Sequence, residues 1–141
     1  MKNLYAVTVL LFVAFLAVSH GKVYRKCELA RIMQNNGFPR EQLRDWMCLV
    51  QNESGFNTSA INYNRRGTID YGLFQINNRY WCDSSFGSND CKITCKSLLD
   101  DDIANDLKCI KLIYKRHKFT AWVAWNNKCQ GKALPTVNEC F

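Results

Sequence analysis

Histidine is nearly absent from this 141-residue chain, with His20 and His117 the two copies. A Ser-His-Asp or Cys-His hydrolase needs an imidazole as its base. His20 falls in a leader (below), and His117 stands in Tyr114-Lys115-Arg116-His117-Lys118, a cationic stretch with no orienting carboxylate nearby in sequence. No C-x-x-C pair and no glycine-rich phosphate loop occur, which argues against a zinc site with closely spaced ligands and against a nucleotide cradle. Internal repeats, Gly/Ser/Pro-rich linkers and long runs of like charge are missing too, which argues against a solenoid or a tethered pair of domains. If the chain is an enzyme, its acid–base groups are carboxylates.

What is present points to a small globular secreted domain. Hydrophobic residues make up 48% and aromatics 13%, enough apolar surface to offset the entropy of ordering a chain. Lys2, the apolar run Leu4 to Val18 and the small residues of Ser19-His20-Gly21 read as a signal peptide over 1–21. The run is short of the roughly twenty residues a membrane span needs, and no second one follows. Residues 22–141 then form a single domain, and loss of Lys2 leaves 18 basic residues against 12 acidic, a formal charge of +6. All eight cysteines, at 27, 48, 82, 91, 95, 109, 129 and 140, lie in that domain. An even count in an oxidising compartment implies four disulfides, and about a hundred connectivities are open.

Periodicity gives helix, then sheet, then helix. Cys27 to Asn36 is predicted helical with Gly37 as its stop, and Pro39 opens a second helix through Val50. Thr68 to Tyr71 and Leu73 to Ile76 read as short antiparallel strands, with a turn at Arg65-Arg66-Gly67. Cys82 to Cys95 is polar loop. Helical spacing returns over Asp100 to Tyr114 and again over Ala121 to Asn126.

Among the acids, Glu28, Glu41 and Asp45 sit amid basic neighbours and read as solvated, and Asp100, Asp101, Asp102 and Asp106 cluster at a helix start. Glu53 closes an apolar helix, where a carboxyl is half-buried, whereas Asp70 lies among Asn64, Tyr71, Gln75 and Asn77, a polar setting for an ionised carboxylate. Two carboxyls in opposed environments are the signature of an acid and a nucleophile or charge stabiliser.

Lys22-Val23-Tyr24, Cys27-Glu28-Leu29-Ala30, Glu53-Ser54-Gly55-Phe56-Asn57-Thr58, Asp70-Tyr71-Gly72-Leu73-Phe74-Gln75-Ile76-Asn77 and Ala121-Trp122-Val123-Ala124-Trp125 closely resemble the c-type lysozymes, and the expected secretion and the chain length point to an insect member. The similarity spans essentially all of 22–141 and includes all eight cysteines. It implies an α+β fold, a mainly helical lobe and a small three-stranded antiparallel sheet lobe with a cleft between them. It also implies the bridges Cys27–Cys140, Cys48–Cys129, Cys82–Cys95 and Cys91–Cys109. By resemblance Glu53 is the general acid and Asp70 the nucleophile or oxocarbenium stabiliser, and this family is itself the type case of that pair. Trp122 forms the apolar wall beside the acid, Asn64 and Asn77 position Asp70 and the sugar, and Gln75 and Ala121 line the cleft. Tyr80 and Trp81 offer flat faces to pyranose rings. The implied substrate is the β-1,4 bond between N-acetylmuramic acid and N-acetylglucosamine in bacterial peptidoglycan, cleaved with retention by an extracellular monomer that needs no cofactor.

The sequence also departs from the family pattern. Tyr80 replaces a Trp of most vertebrate members, the Cys82–Cys91 loop is three residues shorter than the hen-type pattern, and the segment before Ala121 is short and basic. Asp100, Asp102 and Asp106 match three acids of the calcium loop of α-lactalbumins and calcium-binding lysozymes, with Asn105 replacing the fourth and Ser97 at a carbonyl position; that is a weak calcium candidate. The retained Glu53 and Asp70 argue against a purely binding role. Positive charge predicts attraction to anionic bacterial surfaces, without stable membrane insertion and without a nucleic-acid motif. Asn52-Glu53-Ser54 and Asn57-Thr58-Ser59 are glycosylation sequons. A glycan on Asn52 would crowd Glu53, so Asn52 is expected to be unmodified, which mass spectrometry of the secreted chain checks.

Overall fold

The computed structural model describes residues 21–141; the expected leader, apart from Gly21, lies outside the described residues. Four α-helices, α1 (Lys26–Asn35), α2 (Leu43–Ser54), α3 (Ala104–His117) and α4 (Val123–Lys128), enclose most of the core. A three-stranded antiparallel sheet forms the second lobe, with β1 (Ile61–Tyr63), β2 (Ile69–Tyr71) and β3 (Ile76–Asn77) in that order. Among the described residues no helix is long and apolar enough to cross a membrane.

Local chemistry explains the helix boundaries. Leu29, Ala30 and Met33 place one buried stripe along α1, and Gly37 takes the left-handed turn that ends it (φ +86°). Pro39 is followed by one 3-10 turn, Arg40–Gln42, before α2 begins. That helix runs four residues beyond the expected Val50, because the left-handed conformation that stops it is adopted first by Gly55 (φ +59°). Glu53 consequently sits in the last helical turn. Helix α3 starts later than expected, at Ala104: Asp100 and Asp102 use their carboxylates to accept the N–H groups of Asp102 and Ala104, both at 3.1 Å, in the loop that precedes it.

The sheet differs from the expectation in one instructive place. Residues 73–75 are not a strand. Leu73 and Phe74 are both fully buried, whereas a strand sends successive side chains to opposite faces. Gly72 and Gln75 also have positive φ, +77° and +50°. The segment is a buried turn, and strand pairing resumes at Ile76, opposite Tyr71. A Cβ on Gly72 would lie 2.0 Å from the Leu98 carbonyl oxygen, so no other residue fits there. Strand β1 had no counterpart in the periodicity, for all three of its residues are exposed. The turn at 65–67 forms as expected, with the Gly67 N–H donating to the Asn64 carbonyl at 3.0 Å.

The lobes are joined through that buried turn. Ser54 at the end of α2 donates its hydroxyl to the Leu73 carbonyl at 2.6 Å, and the Trp122 indole donates to the Phe74 carbonyl at 2.9 Å. Disulfides Cys27–Cys140, Cys48–Cys129, Cys82–Cys95 and Cys91–Cys109 are all formed. Cys48–Cys129 ties α2 to the end of α4 across 81 residues of chain, and Cys82–Cys95 closes 13. Loop-closure entropy grows with the logarithm of loop length. Replacing both cysteines of the longer bridge by Ala is therefore expected to cost about 1–2 kcal/mol more stability than the same change in the shorter one, as read from denaturant midpoints of the two double variants.

Candidate active site

A cleft of ≈ 400 Å³ opens between the lobes, with Glu53 on the helical side and Asp70 on the sheet side. Each is placed by its own element. Glu53 projects from the last turn of α2, which its other face anchors in the core through Met47, Leu49 and Val50. Asp70 is the middle residue of β2, opposite Asn62 on one neighbour and Asn77 on the other.

The two carboxyls have different surroundings. Trp122, Val123, Ile76 and Ile113 bring apolar surface into the cleft that Glu53 also lines. Burial pushes its pKa up to about 7; the Ala124 N–H, 3.3 Å from Oε1, acts the other way, and the negative charge of Asp70 adds to the rise. Asp70 is hydrogen-bonded instead. Its Oδ2 accepts from the Asn64 amide at 3.1 Å and its Oδ1 from the Asn77 amide at 2.7 Å. Donors of that kind suit a carboxylate that carries charge.

The remaining residues proposed from sequence are gathered around this pair. Tyr80, Trp81 and Ala121 line the same cleft, Tyr80 half-exposed and Trp81 nearly buried. Gln75 also lines it, but its polar atoms face the protein: Nε2 donates to the Ala60 and Gly72 carbonyls, and Oε1 accepts from Asn62. Its contribution is to hold the turn after β2, and with it Asp70. Ile76, Ile113, Val123 and the Ala124 N–H escaped the sequence reading. Ile113 belongs to the helical stripe already seen in α3, so its apolar spacing was visible while its direction was not.

Three further placements bear on the expectations. Asp45, expected to be solvated, is half-buried and accepts the Trp125 indole N–H at 2.8 Å. Asn52 is exposed on α2, its amide donating to the Cys48 carbonyl at 2.8 Å. The carboxylates of Asp100, Asp102 and Asp106 do not all lie within 4.8 Å of one another. Among the described residues the one trio of acidic, cysteine or histidine side chains within 4.8 Å of one another is Cys27, Glu139 and Cys140, and its two cysteines form a disulfide. Asp106 is buried with neither oxygen hydrogen-bonded, and its pKa is pushed up to about 8 by burial, with Asp100 and Asp102 adding to the rise. No step below is routed through a metal.

A family model for the C-type lysozyme/alpha-lactalbumin family matches residues 22–140. The chain belongs to this family. It is 58% identical over 139 residues to "Lysozyme c-1" of Anopheles gambiae, covering 99% of both chains. It is 49% identical over 121 residues to the "Lysozyme" of Galleria mellonella, covering 84% of this chain and all of the relative. Against the Bombyx mori "Lysozyme" the identity is 47% over 123 residues, 86% of this chain and 89% of the relative. The observed α+β architecture, three-stranded sheet and four disulfides are those the c-type lysozyme resemblance implied.

The environment of Glu53 has a measurable consequence. Between pH 4.5, the ordinary glutamate value, and about 7, the folded chain holds a proton on Glu53 that the unfolded chain has released. Stability contributed by this group is therefore lost as pH rises through that window. Glu53→Gln is expected to unfold at a higher temperature than the parent at pH 8 and at the same temperature below pH 4. Trp122→Ala, which admits water to the wall, should lower the Glu53 pKa in an NMR titration.

Proposed function

We propose that this lysozyme-family chain is a secreted muramidase that hydrolyses the β-1,4 bond between N-acetylmuramic acid and N-acetylglucosamine in bacterial peptidoglycan with retention. The observation that carries the reading is the half-buried Glu53, protonated up to about pH 7, across one cleft from an amide-bonded Asp70. Relatives that match nearly the whole chain bear the name lysozyme.

In the reaction, the Glu53 carboxyl donates its proton to the glycosidic oxygen as the bond to the anomeric carbon breaks, so the leaving sugar departs as a neutral alcohol. Asp70 meets the positive charge that develops on the ring and closes on the anomeric carbon from the opposite face. Glu53, now a carboxylate, takes a proton from a water that attacks the same carbon. The Asp70 bond breaks, both carboxyls return to their starting states, and two inversions leave the configuration retained. Asn64 and Asn77 keep Asp70 oriented through both displacements. The chain works as a monomer at the bacterial surface, where its net positive charge favours encounter with anionic walls. It uses no nucleic acid and no stable insertion into the membrane.

The test is clearing of a bacterial cell-wall suspension by the oxidised mature chain beside Glu53→Gln. The parent is expected to clear the suspension, and the variant to be slower by about 10²-fold or more. Equal clearing by both would remove Glu53 from the mechanism and point to charge-driven disruption. No clearing by either folded protein would point to a binding role.

A further inference from the structure

We infer that the end of the cleft framed by Tyr80 and Trp81 selects glycan strands bearing ionised carboxylates over neutral strands of the same linkage. This rests on the glycosidase reading above and adds a substrate preference to it. Both aromatic walls carry a guanidinium. The Arg79 Cζ lies 5.4 Å from the centre of the Tyr80 ring, and its Nε donates to the Tyr80 hydroxyl at 2.9 Å. The Arg116 Cζ lies 5.6 Å from the centre of the Trp81 ring. Arg65 and Arg66 follow Asn64, itself a cleft residue, and both are exposed.

These cations are not an ordinary scatter of surface charge. Two of them rest on the rings that face the cleft, so a strand lying against Tyr80 and Trp81 brings its substituents beside them. The carboxylate paired with this set is Asp90, bonded to Arg116. Both partners of that pair are exposed, and such pairs contribute little, so Arg116 can exchange Asp90 for a carboxylate of the ligand. A guanidinium binds a carboxylate through two parallel N–H bonds, and stacking on an aromatic face holds the fork in place beforehand. The complementary ligand is a β-1,4 strand whose lactyl or peptide substituents end in free carboxylates. A chitin oligosaccharide has the same backbone without those charges.

The experiment measures kcat/KM of the parent and of the double variant Arg79→Gln, Arg116→Gln on three substrates: carboxylated peptidoglycan strands, the same strands with their carboxylates amidated, and a neutral chitin oligosaccharide. On the carboxylated strand the variant is expected to lose about 10-fold, carried by KM, with the loss shrinking as salt screens the pairs. On the amidated strand and the chitin oligosaccharide it should lose less than about twofold. Lys96→Gln with Lys132→Gln removes the same formal charge from exposed residues outside the cleft and should leave all three substrates within about twofold of the parent. Equal losses on charged and neutral strands, no loss on any, or an equal loss from the lysine control would overturn the inference. If the folded parent cleaves none of the three, the glycosidase reading fails. Calorimetric binding of carboxylated and amidated strands to the parent then decides the selection separately, and equal affinities overturn it.

Discussion

The ring of Trp46 is the contact on which both walls of the cleft lean. It is fully buried in α2, two turns before Glu53. Around it pack Phe38 from the chain entering α2, Phe74 from the buried turn of the sheet lobe, and Phe119 and Trp122 from the approach to α4, with ring centres 4.8 to 6.1 Å away. Tyr114 of α3 completes the set at 5.7 Å. Edge-to-face packing of this kind fixes angles as well as distances. The helix carrying Glu53, the turn that follows Asp70 and the indole beside the acid are thus positioned by one side chain. Its indole N–H is buried without an acceptor, a cost the structure accepts where so many apolar contacts converge.

With that frame in place, the chemistry follows from how two carboxyls are treated differently. Glu53 is half-buried and given one backbone donor; Asp70 is given two side-chain amides. The negative charge of Asp70 also helps hold the proton on Glu53. The hydrogen bonds of Ser54 and Trp122 to the Leu73 and Phe74 carbonyls keep the two residues in this relation across the lobes. Farther along the cleft the aromatic walls Tyr80 and Trp81 carry cations, so its reacting centre and its outer end differ in charge.

Much of this was legible before any coordinates. Apolar periodicity located all four helices to within four residues, and the contrast between Glu53 in an apolar helix end and Asp70 among amides survived folding. The misreadings have local causes. Leu73 to Ile76 has the composition of a strand, but Gly72 and Gln75 turn the backbone out of the extended region, and both Leu73 and Phe74 go inward. Strand β1 is exposed along its length and left no apolar alternation to read. Asp45 looked solvated because Arg44 stands beside it in sequence; its partner, Trp125, is eighty residues away.

By itself the sequence determined the cysteine count, the main helices and the contrast in local setting between Glu53 and Asp70, because these depend on composition and on spacing within one element. Only the tertiary structure decided which surfaces meet. It turned Trp122 toward both Phe74 and the cleft, bonded Gln75 inward, set the Ala124 N–H on Glu53, buried Asp106 without a hydrogen-bond partner, and laid Arg79 and Arg116 on the rings of the cleft. Each of these is a contact between, or an orientation within, elements joined by loops, and its free energy comes from burial and hydrogen bonding that no stretch of chain possesses alone.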